Sequence, residues 1–206
     1  TYWSTSIGVY KNQTLRPNRN WVEKPYEKEP DFNLSGYVAD FHGAVLDSRL
    51  TATRFRRGIS TYNGLRGTSG DGNRTLWNTS ISYPLMGSYW FITPKITYSL
   101  THYNDIKHAR AEIDKSSTRS LPIYSLDTGL IFERNSTVFG RETEQTLEPR
   151  LFYAYIPYRN QRHMPNFDSS SADLNFAELF TPNKYTGFDR IANTNQLSAV
   201  LTTRYI

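Results

Sequence analysis

Residues 196–205 read Gln-Leu-Ser-Ala-Val-Leu-Thr-Thr-Arg-Tyr, a stretch in which residue character alternates with a period of two. Leu197, Leu201 and Tyr205 fall on one side of the alternation, whereas Ser198 and Arg204 fall on the other. Successive side chains of a β-strand point to opposite faces. The stretch therefore predicts a strand with one apolar face and one mostly polar face.

The same period, followed back along the chain, predicts eight strands. The predicted strands are Tyr2–Tyr10, Asp31–Ala39, Val45–Arg56, Arg74–Leu85, Trp90–Thr101, Leu121–Arg134, Thr146–Ile156 and Gln196–Tyr205. Globular strands average about five or six residues, whereas a tilted strand needs about 9 to 11 residues to cross a bilayer. Both the strand lengths and the Trp, Tyr and Phe residues near the strand ends are typical of membrane-spanning strands.

The links between the predicted strands alternate between long and short. The long links are 11–30, 57–73, 104–120 and 157–193, and the shorter links are 40–44, 86–88 and 135–143. Successive turns of an up-and-down sheet fall at opposite ends, and outer-membrane barrels have short periplasmic turns and long extracellular loops. The predicted fold is therefore an all-β, antiparallel up-and-down transmembrane β-barrel with its long links outside.

Composition excludes several other classes. The chain has 206 residues, of which 37% are hydrophobic and 15% aromatic, so simple disorder does not describe it. No apolar run approaches the roughly 20 residues of a membrane-spanning helix. The absence of Cys excludes disulfides and thiolate sites. The net charge is +5, but the basic residues are too dispersed along the chain to indicate a nucleic-acid partner.

No motif indicates catalysis or metal binding. The four histidines lack the spacing that places two imidazoles on one helix face. The segment beginning at Asp168 differs from a calcium-binding EF-hand loop, since Asp173 occupies the sixth position, where glycine is required. No glycine-flanked nucleophile elbow is present. We therefore predict no catalytic residue, no metal site and no cofactor.

Two prolines fall inside predicted strands. Pro94 and Pro149 lack the amide proton that a ladder position donates. Each is a candidate β-bulge that adjusts the shape of the barrel, or alternatively a weakened seam between neighbouring strands.

The periodicity also leaves other folds open. A soluble β-sandwich, in which the apolar faces of two sheets pack together, produces the same alternation. A small structural or adhesive outer-membrane barrel closed from these eight strands alone is a further alternative. The strand lengths and the asymmetry of the links favour a membrane barrel over the sandwich.

Four segments, in this order, resemble the LptD family of lipopolysaccharide-assembly proteins of the Gram-negative outer membrane. They are 121–134, Thr-Leu-Glu-Pro-Arg-Leu-Phe-Tyr at 146–153, Pro-Asn-Phe-Asp-Ser at 165–169 and Gly-Phe-Asp-Arg-Ile at 187–191. The similarity is strongest from Leu121 to Ile206.

This resemblance implies a role in the outer-membrane translocon that places lipopolysaccharide in the outer leaflet. The implied partners are lipopolysaccharide, a plug lipoprotein of the LptE type, a periplasmic transport bridge and membrane lipids. The chain shows neither a periplasmic domain nor the family's cysteines, and it starts at Thr1 without a leader. We therefore expect residues 1–206 to form an internal part of one large barrel, without the strands of its lateral gate.

The alternation assigns side chains to the two sides of this wall. The expected lumen-facing residues are Lys95, Ser125, Asp127, Glu148, Arg150, Ser198 and Arg204, and the expected lipid-facing residues are Leu126, Leu130, Leu147, Leu151, Leu197 and Leu201. Glu133 and Arg150 are a candidate ion pair between strands. Link 157–193 is too rich in aromatic residues for a solvated tail, so it should pack over the barrel mouth, with Asp189 and Arg190 as a candidate anchoring pair.

Overall fold

The fold is a single antiparallel sheet, seen in a computed structural model that describes residues 1–12, 25–57, 70–138, 140–173 and 175–205. The strands are β1 (Tyr2–Tyr10), β2 (Glu27–Phe41), β3 (Ala44–Arg56), β4 (Asp71–Ser82), β5 (Leu85–Met86), β6 (Trp90–Lys107), β7 (Ser117–Leu130), β8 (Phe132–Val138), β9 (Arg141–Ile156) and β10 (Thr194–Tyr205). A short 3₁₀ helix, Ala177–Phe180, is the only helix in these ranges. No helix in the described part of the chain is long and apolar enough to cross a membrane.

The strands follow one another across the sheet in chain order. The order is β1-β2-β3-β4-β6-β7-β9-β10, with β5 paired to β6 and β8 paired to β9. The eight strands of this path correspond to the eight predicted strands, so the all-β, up-and-down prediction is confirmed. Closure into a barrel is not seen, because β1 and β10 are the two edges of the described sheet.

The predicted strand 121–134 is in fact two strands. Pairing with β9 is interrupted after Gly129, which lies opposite Arg150, and resumes at Phe132, which lies opposite Leu147. The interruption falls opposite Pro149, which has no amide proton to donate. Ile131, the one apolar residue on the polar side of this segment, lies at the break.

Pro94 has a similar effect on its neighbour. The ladder with β4 ends where Ser82 faces Lys95, and it resumes in β5 where Leu85 faces Ile92. No register shift occurs at Pro94 or Pro149, so the predicted bulges are wrong at both positions. The prolines instead interrupt pairing on one side of their strand. The register shifts of the described sheet lie between Gly8 and Tyr10, Lys28 and Asp31, Val38 and Phe41, and Asp71 and Asn73.

Long and short links separate to opposite ends of the sheet, as predicted. The strand ends that flank the long links lie at one end of the sheet, here called the loop end, and the strand ends that flank the short links lie at the other, the turn end. The flanking residues at the loop end are Tyr10 and Glu27, Arg56 and Asp71, Lys107 and Ser117, and Ile156 and Thr194. At the turn end β2 and β3 are joined through His42 and Gly43, whose φ angles of 54° and 84° are both positive. This is the geometry of a type I′ hairpin, which favours glycine.

The register gives the sheet two faces of opposite character. The outer face carries large exposed apolar side chains: Trp77, Ile81, Ile96, Tyr98, Tyr124, Leu126, Leu151, Tyr153, Leu197 and Leu201. Leu197 and Leu201 remain 68% and 66% exposed. In a sandwich a second sheet covers such a face, but all the strands in the described ranges belong to one sheet. The structure therefore does not support the soluble sandwich, and the outer face requires an apolar environment.

The packed core lies on the opposite, inner face, at the loop end. Phe55 of β3, Tyr103 of β6 and Phe167 of loop 157–193 form its centre, and the rings of Phe55 and Phe167 stack with centroids 4.5 Å apart. A second cluster joins Leu121 and Ile156 of the sheet to Ile191 of the same loop. Loop 157–193 is thus packed against the sheet.

The assignment of side chains to the outer and inner faces predicts the outcome of cysteine labelling in the protein assembled in a membrane. Leu126→Cys, Leu151→Cys and Leu201→Cys should react with a lipid-soluble thiol reagent, and Lys95→Cys and Ser125→Cys should react with a water-soluble one. A register slip of one residue would invert both results. Water-soluble labelling at the three leucine positions would reject the assignment.

Candidate functional site

The candidate lumen residues all lie on the inner face. Lys95 faces Ser125 across β6 and β7, and Asp127 shares a row with Phe152 and Ser198 across β7, β9 and β10. Glu148, Arg150 and Arg204 occupy further inner-face positions of β9 and β10. The register therefore brings the seven residues onto one polar surface, and their role in a lumen stays a prediction.

Arg150 makes a two-point ion pair with Asp127. Its Nε donates to Oδ1 at 2.8 Å and its Nη2 donates to Oδ2 at 2.5 Å. The guanidinium also lies over the ring of Phe180, 3.9 Å from the centroid. The expected ion pair between Glu133 and Arg150 is wrong. Arg150 lies opposite Gly129, close to Asp127, whereas Glu133 lies opposite Thr146.

A second, weaker pair lies nearer the turn end of the same surface. Arg204 Nη2 approaches Glu148 Oε2 at 3.2 Å, and Thr146 Oγ1 donates to the same carboxylate at 2.9 Å. The Arg204 side chain is 63% exposed, so this pair contributes at most about 1 kcal/mol.

At the loop end, buried Arg74 of β4 holds two carboxylates of loop 157–193. Its Nη1 donates to Asp168 Oδ1 and to Asp189 Oδ1, each at 2.8 Å, and its Nη2 donates to Asp168 Oδ2 at 2.7 Å. The Phe55 ring lies 4.7 Å from the guanidinium carbon. We refer to Arg74, Tyr103, Arg119, Asp168 and Asp189 together as the loop clamp.

Asp189 is the fully buried acceptor of the clamp. Its Oδ1 also accepts the hydroxyl of Tyr103 at 2.8 Å, and its Oδ2 accepts the amides of Phe167 and Asp168 at 2.7 Å each. Both carboxylate oxygens are therefore satisfied, as burial of a charge requires.

The guanidinium of Arg119 of β7 binds mainly backbone carbonyls of loop 157–193. Its Nη1 donates to the Asp189 carbonyl at 2.6 Å and to Gln161 Oε1 at 2.9 Å, and its Nη2 donates to the Phe188 carbonyl at 2.7 Å. A further bond from Nη2 to Thr101 Oγ1 at 3.0 Å orients the side chain on the sheet.

Asp189 and Arg190 contact different partners. Whereas the Asp189 carboxylate turns to Arg74, Arg190 donates to the carbonyls of Pro165 at 3.0 Å and Met164 at 2.8 Å. The expected ion pair between the two neighbouring side chains is not among those formed by the described residues. Each side chain instead fastens the loop separately.

The clamp draws together the two loop segments that carry the family resemblance. Ser169 Oγ accepts the amides of Asp189 at 2.8 Å and Arg190 at 3.0 Å, which joins 165–169 to 187–191. Gly187 has a φ of 68° and packs directly against the Asp168 backbone carbonyl, where a Cβ would clash. Glycine at this position therefore permits the close approach of the two segments.

The two clamp carboxyls titrate in different ways. Burial opposes ionisation of Asp168, but the hydrogen bonds and charge of Arg74 outweigh it and hold the pKa of that carboxyl well below its usual range. Burial, assisted by the negative charge of Asp168, raises the pKa of Asp189.

Sequence patterns missed Arg74, Tyr103 and Arg119 as partners of the loop. The sequence offered two signals. Arg74 begins a predicted strand and shares its polar side with Leu76, and the distant loop contains two aspartates that each follow a phenylalanine. The pairing itself connects residues 94 and 115 positions apart, so local periodicity does not reveal it.

The fold and this site define a class of protein: an antiparallel membrane-type β-sheet with an exposed apolar outer face and a polar inner face covered at one end by its own loop. The family model for LPS transport system D, LptD, matches residues 1–206. The chain therefore belongs to the LptD family, whose members are lipopolysaccharide-assembly proteins of the Gram-negative outer membrane and not enzymes.

Curated relatives agree with this assignment. The LPS-assembly protein LptD of Bordetella avium is 41% identical over 214 residues, which cover 100% of this chain and 26% of the relative. Those of Ralstonia nicotianae and Burkholderia thailandensis are 39% and 40% identical, and each alignment covers 99% of this chain and 25% of the relative. The chain thus spans about a quarter of the length of these relatives.

Removal of the buried acceptor should release the loop. Asp189→Ala leaves Arg74 with one carboxylate and Tyr103 without its acceptor, a loss of about 3 to 5 kcal/mol for a broken buried pair. We expect protease added to the assembled protein to cleave within 157–193 much faster. Asp173→Ala, an exposed acid in the same loop, is the matched control and should leave cleavage unchanged. Equal cleavage of the two variants would contradict a clamp centred on Asp189.

Acid should also loosen the loop through Asp168. The pKa of Asp168 is lower in the folded protein than in the unfolded chain. Asp168 therefore stabilises the folded loop fully above its unfolded pKa of about 3.9, and this stabilisation is lost progressively as the pH falls from that value through the folded pKa. Spin labels at Asp173→Cys and Lys107→Cys should show a broader distance distribution below about pH 4. In the Asp168→Asn background this pH-dependent broadening should shrink, whereas a response of unchanged size would assign the acid sensitivity to other groups.

Proposed function

We propose that this chain supplies part of the wall and lumen of an outer-membrane β-barrel that assembles lipopolysaccharide into the outer leaflet. The observation that carries the proposal is a sheet with one apolar and one polar face in a chain that belongs to the LptD family over its whole length. As one section of a single barrel domain, it acts through shape and charge, without bond chemistry.

The outer face suits a lipid environment. The strands β3, β4, β6, β7, β9 and β10 have 12 to 18 residues each. This exceeds the roughly 9 to 11 residues that cross a bilayer, so the strands extend beyond it. The long links favour an orientation with the loop end outside the cell.

Closure of the barrel requires partners for both edges of the described sheet. Unpaired backbone groups are costly in hydrocarbon, so the edges of β1 and β10 need neighbouring strands within the membrane. Further strands of a protein as long as the curated relatives meet this requirement.

The inner face suits the passage of a large polar head group. Lipopolysaccharide carries an anionic sugar head that avoids hydrocarbon, while its acyl tails avoid water. Lys95 and Ser125, with the pairs Asp127–Arg150 and Glu148–Arg204, form a hydrated wall along which such a head group moves.

Loop 157–193 divides this wall into two regions. At the loop end it covers the inner face through the clamp, and the 3₁₀ helix Ala177–Phe180 extends this cover to Arg150. Toward the turn end the inner face stays open. We assign that open region to a plug lipoprotein and to lipopolysaccharide delivered by a periplasmic bridge.

Photo-crosslinking in cells tests the proposal. A photoreactive amino acid at Lys95, Ser125 or Arg204 should crosslink to lipopolysaccharide or to the plug lipoprotein, because these side chains line the proposed path. Leu126 of β7 and Leu151 of β9, on the outer face of the sheet, are controls and should crosslink to neither the plug nor lipopolysaccharide within the lumen. Correctly assembled barrels that give no crosslink from the three inner positions would refute the lumenal role.

A further inference from the structure

An open cavity of about 340 Å³ lies at the loop end, where the first and last parts of loop 157–193 meet. Three arginines line it, Arg159, Arg162 and Arg190, beside Tyr158 and Tyr185. None of the described residues that line it is an Asp or Glu. The clamp and the proposed lumen do not use this cavity.

No acid among the described residues compensates the positive charge of the cavity. Arg159 and Arg162 are exposed, and in the described part of the chain neither side chain pairs with a carboxylate. Arg190 is held in place by hydrogen bonds to the backbone carbonyls of Pro165 and Met164. The adjacent carboxylate of Asp189 is turned away, toward Arg74.

We infer that this cavity binds the phosphate of a phosphorylated lipid head group. A guanidinium presents paired N–H donors that match phosphate oxygens, and two of the three arginines here are free to reorient onto a ligand. A fixed third charge, Arg190, adds attraction without requiring any rearrangement.

The position of the cavity favours a lipid over a free anion. Its lining residues begin two residues after the end of β9 and end immediately before β10, and Tyr155, three residues before Tyr158 in the chain, is exposed on the outer face. Aromatic side chains mark the level at which lipid head groups lie. This step rests on the proposed function, since it requires that the outer face contact the membrane.

Binding measurements on the complete protein, purified in detergent, test the inference. The probes are a short-chain phosphorylated glucosamine disaccharide lipid, the same lipid without phosphate, and inorganic phosphate. The variant is Arg159→Gln with Arg162→Gln. Arg110→Gln with Lys115→Gln, which removes two exposed cations from another link at the loop end, is the matched control.

The phosphorylated lipid should bind the cavity variant about tenfold to a hundredfold more weakly than the unaltered protein, and the control within about twofold. The lipid without phosphate should bind all three proteins alike. Equal affinity of the phosphorylated lipid for the variant and the unaltered protein would overturn the site. Inorganic phosphate binding as tightly as the phosphorylated lipid would overturn its assignment to a lipid. Crosslinking from the inner face reports the proposed function separately, so the two failures are distinguishable.

Discussion

The antiparallel ladder from β1 to β10 is the constraint on which the rest of this structure depends. Each pairing sets a register, and each register assigns every side chain to the outer or the inner face. Because side chains alternate strictly, one ladder both exposes Leu126 and Leu151 and brings Asp127 next to Arg150. At Pro94 and Pro149 pairing is lost on one side of the strand, yet the register continues unchanged, so the separation of faces survives both interruptions.

The loop clamp depends on that ladder. Arg74, Tyr103 and Arg119 stand on three consecutive strands of the sheet path, at inner-face positions near the loop end, and together they bind a loop far away in the chain. Two arginines and two aspartates balance in charge. Burying such groups costs free energy that their attraction offsets only when hydrogen bonding is nearly complete. We therefore regard the clamp as a device that specifies one position for the loop more than as a large source of stability.

The two ends of the sheet consequently differ in character. At the loop end the inner face is covered by aromatic rings and balanced charges, whereas toward the turn end Lys95, Ser125 and the pair Glu148–Arg204 remain accessible. Arg159 and Arg162, which line the cavity in the same loop, have no acidic partner among the residues that the structure describes. The polar inner face toward the turn end and the arginine-lined cavity of the loop are therefore separate features of the structure.

Period-two alternation, with the lengths of the links, was enough to predict the strand path, its up-and-down order and the two faces, because each of these follows from neighbouring residues. It was not enough for the ends of the strands: β6 continues to Lys107 and β2 begins at Glu27, where polar residues resemble those of a loop. The alternation also did not predict which charged side chains form ion pairs. Arg150 pairs with Asp127 and not with Glu133 because the cross-strand register places Asp127 within reach. Asp189 pairs with Arg74 and not with Arg190 because the loop is buried against a distant strand, and this burial, not proximity in the chain, decides which charges meet.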